Sequence, residues 1–235
     1  YQFFYFRCNN SESITIPKFV EVINDFSFYN CFKLKSIIFS NESSLANIEV
    51  KTFSYCINLE SIIVPKTVES IKGSAFCNCS KLKSITFSNE SSLKFIGSKA
   101  FSNCYNLESI IFPKAVESIK KSAFNNCSEL KSITISNESF FMNIGKYAFY
   151  YCFNLESFII PKLVKSIKDF AFYNCVELKY VTIPKSTKFI KSHAFFNCKK
   201  LKSVIFLNDA SLSSIGIGAF SYCIDLESIT IPKSI

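Results

Sequence analysis

The 235-residue sequence has no tryptophan, one histidine, one methionine, five glycines and six prolines. Each scarcity excludes something. With His193 as the only histidine, general acid–base or zinc chemistry built on paired imidazoles is unavailable. Arg7 is the only arginine, so bidentate guanidinium recognition of phosphates or base edges is nearly absent, and no nucleic-acid partner is expected. Low glycine and proline exclude collagen-like and low-complexity chains, and the aromatic content excludes soluble disorder. No apolar run is long enough to cross a bilayer as a helix. The opening Tyr1-Gln2-Phe3-Phe4-Tyr5-Phe6 lacks the basic start and small-residue cleavage site of a signal peptide. It fits the repeat register below, so the chain reads as a fragment of a longer array, with clear capping units at neither end. No phosphate loop, zinc motif or nucleophile elbow is present, and neither an enzyme nor a cofactor is expected.

What is abundant is phenylalanine, with 27 copies, and cysteine, with 11. The cysteines act as a ruler. Cys8, Cys31, Cys56, Cys79, Cys104, Cys127, Cys152, Cys175, Cys198 and Cys223 are spaced by 23 or 25 residues, and only Cys77 stands outside the ladder. Phenylalanine stands three residues before most of them, from Phe28 to Phe220, usually after a small residue such as Ala75, Ala100 or Ala123. Leucine stands three residues after, from Leu34 to Leu226.

The 23-residue units carry proline and lysine after the Leu-x-Ser-Ile-x-Ile segment, as in Val64-Pro65-Lys66. The 25-residue units replace that turn with a longer loop, Phe-Ser-Asn-Glu-Ser-Ser-Leu, at 39–45 and 87–93. The two kinds alternate except at 175–198, where two proline-type units follow each other through Pro161 and Pro184.

Alternation in Ser61-Ile62-Ile63-Val64 predicts a short strand with Ile62 and Val64 inside and Ser61 and Ile63 outside. Proline at its end cannot donate to a ladder and stops it. The three- and four-residue spacing of Val68, Ile71, Ala75 and Phe76 predicts one helical or 3₁₀ turn on the opposite side. One unit cannot bury its own apolar stripe. Ten stacked units bury continuous columns over roughly 48 Å, at about 4.8 Å per coil.

This pattern fits leucine-rich repeats. The phrase Ser-Ala-Phe-x-Asn-Cys-x-x-Leu-x-Ser-Ile-x-Ile, clear at 74–96 and 122–144, resembles the BspA-like family over essentially the whole chain. The expected fold is α/β: a single right-handed leucine-rich-repeat solenoid over 1–235, with about ten coils, a parallel sheet on one face, and short helical or 3₁₀ turns and loops on the other. The resemblance implies a surface or secreted protein of bacteria or of protists such as trichomonads and amoebae. It implies adhesion to host matrix proteins or cell surfaces, with a protein ligand. A spacer array without its own ligand, and an intracellular interaction scaffold, remain the alternatives. Many relatives place glycine where this chain has Lys72, Lys120 and Lys168, so the turn there must tolerate a side chain.

The outward strand positions are the candidate binding surface: Ser61, Ile63, Ser84, Thr86, Ser109, Ile111, Ser132, Thr134, Ser157, Ile159, Tyr180 and Thr182. The competing reading is that such β-formers merely stabilise strands. Two lysine columns are candidates for an anionic glycan. Lys66, Lys114, Lys162 and Lys185 follow prolines, as do Lys18 and Lys233; Lys72, Lys120, Lys168 and Lys191 follow the second isoleucine. Their competing role is to keep turns solvated and block edge aggregation. Four residues after each cysteine, Glu12, Lys35, Glu60, Lys83, Glu108, Lys131 and Glu156 alternate in sign, which supports register. The cysteine spacing suits no metal site, and a buried column of free thiols is expected. His193 reads as a surface substitution. Asn41, Asn89 and Asn137 are candidate glycan acceptors in exposed loops, whereas Asn9, Asn78 and Asn126 are expected to hydrogen-bond their turns.

Overall fold

The computed structural model describes residues 10–135, 139–207 and 212–232. Cys8, Asn9, Asn137 and Lys233 lie outside these residues. The chain winds as a parallel β-solenoid of right-handed type. One face is a ten-stranded parallel sheet whose strands follow in chain order, from Ser13–Ile16 through Ser61–Val64, Ser109–Phe112 and Tyr180–Ile183 to Ser228–Ile229. Adjacent strands pair in strict register: Ser61 lies beside Ser84, Ile62 beside Ile85, Ile63 beside Thr86 and Val64 beside Phe87.

The opposite side corrects the expectation of helical turns. Among the described residues there is no helix, and a second parallel sheet of eight two-residue strands runs there, including Ser70–Ile71, Ser118–Ile119, Ser166–Ile167 and Phe189–Ile190. The fold of the described residues is therefore all-β rather than α/β. The reason lies in where the amides go. An isolated helical turn closes too few bonds to hold itself, whereas stacking offers a partner in the next coil. Ser74, Phe76 and Asn78 donate their amides to Ser98, Ala100 and Ser102 of the next coil at 2.8 Å. The residues between them close turns within the coil: Cys77 donates to Ser74 at 3.1 Å and Cys79 to Phe76 at 3.2 Å. Ser74 and Asn78 have φ of 56° and 63°, and the same two positions are left-handed in coil after coil. Two left-handed residues four positions apart in each coil break a helix as it starts. Turn and helix share the apolar spacing; φ separates them.

The core is a set of columns. The phenylalanine rings stack coil on coil, with Phe76–Phe101 at 5.3 Å, Phe101–Phe124 at 5.2 Å and Phe172–Phe195 at 5.1 Å, the rings of each pair nearly parallel. Leu59, Leu82, Leu107, Leu130, Leu155 and Leu178 are fully buried beside them. The ten described cysteines are free thiols, as expected, and those from Cys56 to Cys198 on the ladder are fully buried. They are more than small apolar residues. Each ladder thiol from Cys56 to Cys223 donates to the phenylalanine carbonyl of the preceding coil, as Cys79 to Phe53 at 3.2 Å, Cys127 to Phe101 at 3.2 Å and Cys152 to Phe124 at 3.1 Å. A cysteine fits a space too small for leucine and still satisfies a carbonyl there. Burial pushes the thiols of Cys79, Cys104, Cys127, Cys152, Cys175 and Cys198 far above the ordinary range.

Three of the five glycines, Gly97, Gly145 and Gly216, recur at one position, directly after the short-sheet isoleucine. A Cβ on Gly145 would lie 2.5 Å from the Lys120 carbonyl carbon of the preceding coil, and one on Gly97 would lie 2.6 Å from that of Lys72. The lysine side of this alternation tolerates a side chain, as expected; at Gly97 and Gly145 the glycine side does not, whereas the first loop-type coil carries Glu49 at that position.

Candidate functional site

The long sheet presents two faces of opposite character. Inward residues such as Ile62, Ile85 and Ile110 are buried, and the residues between them are not. Ser61, Ser84, Ser109, Ser157 and Tyr180 are exposed, Ser132 is half-buried, and these six form one in-register row. Beside it runs a second row in which isoleucine and threonine alternate. Ile63 pairs with Thr86, Ile111 with Thr134, and Thr182 with Ile205. Ile63, Ile111 and Ile159 are 69%, 68% and 68% exposed, unusual values for isoleucine in a sheet. Thr182 is half-buried, and Ile159 lies just past the two-residue strand Ser157–Phe158. The structure thus gathers all twelve outward candidates onto one face.

Ion pairs border this face sparingly. Lys35 meets Glu12 at 3.0 Å and Lys179 meets Glu156 at 2.8 Å. The Lys179 ammonium, by hydrogen bond and charge, holds the Glu156 carboxyl below its usual range. Exposed pairs of this kind add little stability.

The two lysine columns differ. After the prolines, Lys18 pairs with Glu42 at 3.2 Å and Lys66 with Glu90 at 3.9 Å, and Lys114 and Lys185 are also engaged. This column is therefore partly neutralised by its own loops. Lys162 forms no ion pair among the described residues. In the second column, Lys72, Lys120 and Lys168 likewise form none, and Lys191 lies 4.5 Å over the Phe189 ring. Asn41 and Asn89 are exposed in their loops.

Three features escaped sequence reasoning. First, Asn78 does more than brace its own turn: Asn103 donates to Asn78 at 2.8 Å and Asn126 to Asn103 at 3.1 Å, an amide ladder from coil to coil. Secondly, His193 is no simple surface substitution. It is half-buried, stacked on Phe170 at 5.0 Å, and belongs to an aromatic cluster with Tyr147, Tyr173 and Phe196. Thirdly, Lys165 and Lys188 stand where other proline-type coils carry Glu21, Glu69 and Glu117. Aligning the coils on the second isoleucine is enough to reveal that exchange.

Among the described residues no three metal-ligating side chains gather, and no helix is long and apolar enough to cross a membrane. A stacked parallel solenoid with a flat, outward sheet face and buried Leu, Ile, Phe and Cys columns is a leucine-rich-repeat scaffold, a fold that typically serves binding rather than catalysis. More specifically, the chain belongs to the BspA-type leucine-rich-repeat family: that family's model matches six copies over 46–142 and 142–235. Solved structures agree. A leucine-rich-repeat protein from Bacteroides ovatus is 27% identical, with a TM-score of 0.66, over 96% of this chain and 68% of that one. The pneumococcal vaccine antigen PcpA is 25% identical, with a TM-score of 0.53, over 95% and 73%. A leucine-rich cell-surface protein from Faecalibacterium prausnitzii shares the fold at 21% identity and a TM-score of 0.50, over 94% and 80%. No curated protein matches the chain.

Proposed function

We propose that this chain is a non-enzymatic, surface-exposed repeat protein that mediates adhesion by binding a protein, such as a host matrix or cell-surface component, on its long-sheet face. The observation that carries the reading is the exposed Ile63, Ile111 and Ile159 row, interleaved with Thr86 and Thr134. Branched apolar side chains held rigid on a sheet lose little entropy on contact, and their association removes exposed apolar area from water. Hydroxyls of the serine row supply hydrogen bonds alongside. A rigid face of this kind needs no rearrangement to bind. Relatives described as a cell-surface protein and as a vaccine antigen support an extracellular setting.

The near-identical coils favour one second reading, a spacer that separates other domains without a ligand of its own. Binding of the array to immobilised fibronectin, laminin and collagen separates the two. Adhesion through the sheet predicts a measurable complex that the triple variant I63K/I111K/I159K abolishes while its thermal melt stays that of a folded solenoid. Absence of binding, or binding unaffected by the triple variant, rejects the sheet-face reading.

A further inference from the structure

We infer that the two consecutive proline-type coils, residues 161–191, form a binding site for a linear sulfated polysaccharide on the short-sheet side of the solenoid. The observation is a local reversal of charge. Two residues before the short-sheet isoleucine, the other proline-type coils carry Glu21, Glu69 and Glu117. Glu69 there pairs with Lys94 of the following coil at 3.3 Å. In these two coils the same position holds Lys165 and Lys188.

Pairing fixes their neighbours. Ser166 lies beside Phe189 and Ile167 beside Ile190, and the Lys188 amide donates to the Lys165 carbonyl at 2.8 Å. Lys165 is therefore next to Lys188, and Lys168 next to Lys191. In the regular alternation a glycine-bearing coil separates such lysines, as in Lys72, Gly97 and Lys120. The doubled proline-type coil removes that spacer. On either side the corresponding positions are neutral: Met142 and Gly145 before, Ser213 and Gly216 after. Among the described residues, no carboxylate pairs with Lys165, Lys168, Lys188 or Lys191; Asp169 is turned to Lys146 at 3.9 Å. Lys162 extends the row toward the proline.

Like charges side by side in a sheet oppose pairing, so coil stacking alone gives no reason for this arrangement. The shape selects the anion. Two parallel rows about 4.8 Å apart, Lys165 to Lys168 and Lys188 to Lys191, each about 10 Å long at the extended rise per residue, match a chain of repeated charges better than a single head group. Lysine presents hydrated point charges without the planar fork that reads phosphate or base edges, which suits sulfates strung along a polymer.

Heparin is the probe, with the whole chain and two variants of equal charge change. K165E restores the glutamate of the regular coils; K81E places the same change on a lysine remote from the cluster. The wild-type chain binds heparin at physiological ionic strength. K165E weakens binding by about tenfold while its melting temperature stays level or rises, since the introduced carboxylate would face Lys188 as Glu69 faces Lys94; K81E changes affinity by no more than about twofold. A structural role for Lys165 would move melting temperature down, not up. Equal losses in both variants mean overall charge alone and overturn the site, as does the absence of heparin binding. Binding to phosphatidylserine vesicles but not to heparin overturns it in favour of a membrane surface. I63K/I111K/I159K retains heparin binding, so this site and the sheet face fail independently.

Discussion

Raising the pH from about 7 to about 9.5 ionises cysteines in the unfolded chain but not in the buried column. Burial holds the folded pKa of Cys79, Cys104, Cys127, Cys152, Cys175 and Cys198 far above the unfolded value. Below about 8.5 both states keep the proton, and the thiols' contribution to stability is fully present. Above it the unfolded chain loses protons first, so stability falls with each further increment of pH up to the folded value. At pH about 9.5 the loss is about 1.4 kcal/mol per thiol. The six are at least 23 residues apart along the unfolded chain and ionise independently there, so together they cost roughly 8 kcal/mol. That is comparable with the whole stability of many domains, about 5–15 kcal/mol. Urea unfolding in the presence of a reductant, followed by circular dichroism at both pH values, measures the drop directly. Cys127→Ala should lower stability at pH 7 but lessen the alkaline loss by about 1.4 kcal/mol. An unchanged midpoint between the two pH values, or the same alkaline loss in Cys127→Ala, would show that the buried thiols do not set the alkaline stability.

Phe124 is fully buried and stacked between Phe101 at 5.2 Å and Phe149 at 5.7 Å. Phe124→Ala should cost about 3–5 kcal/mol in urea unfolding. Gly145→Ala should cost about 1–3 kcal/mol or more, because its Cβ would meet backbone of the preceding coil, whereas Gly73→Ala, whose nearest contact is 3.5 Å away, should be close to neutral. Asn103 links Asn78 and Asn126 and has φ of 61°; Asn103→Ala should destabilise by about 2 kcal/mol, and Asn103→Gly by less if the left-handed backbone is the larger part. The Glu156 carboxyl, read by NMR titration, should titrate below its ordinary range and return toward it in Lys179→Ala; its contribution is present above the unfolded value and fades as pH falls through the folded one.

The period of the fold was legible because stacking demands that the same residue type recur at the same place in each coil. Phe76, Phe101 and Phe124 announce one column, and Leu82, Leu107 and Leu130 another. The outward row from Ser61 to Thr182 was legible for the same reason, since strand alternation assigns its side. The reversed turn was not legible, because Val68, Ile71 and Ala75 have a spacing that it shares with a helix. What decides is backbone φ at Ser74 and Asn78, and serine there carries no signal as clear as glycine would. The thiol-to-carbonyl bonds of Cys79 and Cys127 were hidden because cysteine reads first as a small apolar residue. Lys165 and Lys188 were hidden by regularity. The eye follows columns that repeat, and their meaning lies in breaking one.

In the proposed function the long-sheet face is the working surface. Methyl NMR of isoleucine-labelled protein, titrated with a matrix protein that binds the array, tests it most directly. Ile63, Ile111 and Ile159 should shift together while the buried Ile71, Ile119 and Ile167 on the opposite side stay in place. Shifts confined to the short-sheet side, with the three exposed isoleucines unmoved, would contradict it.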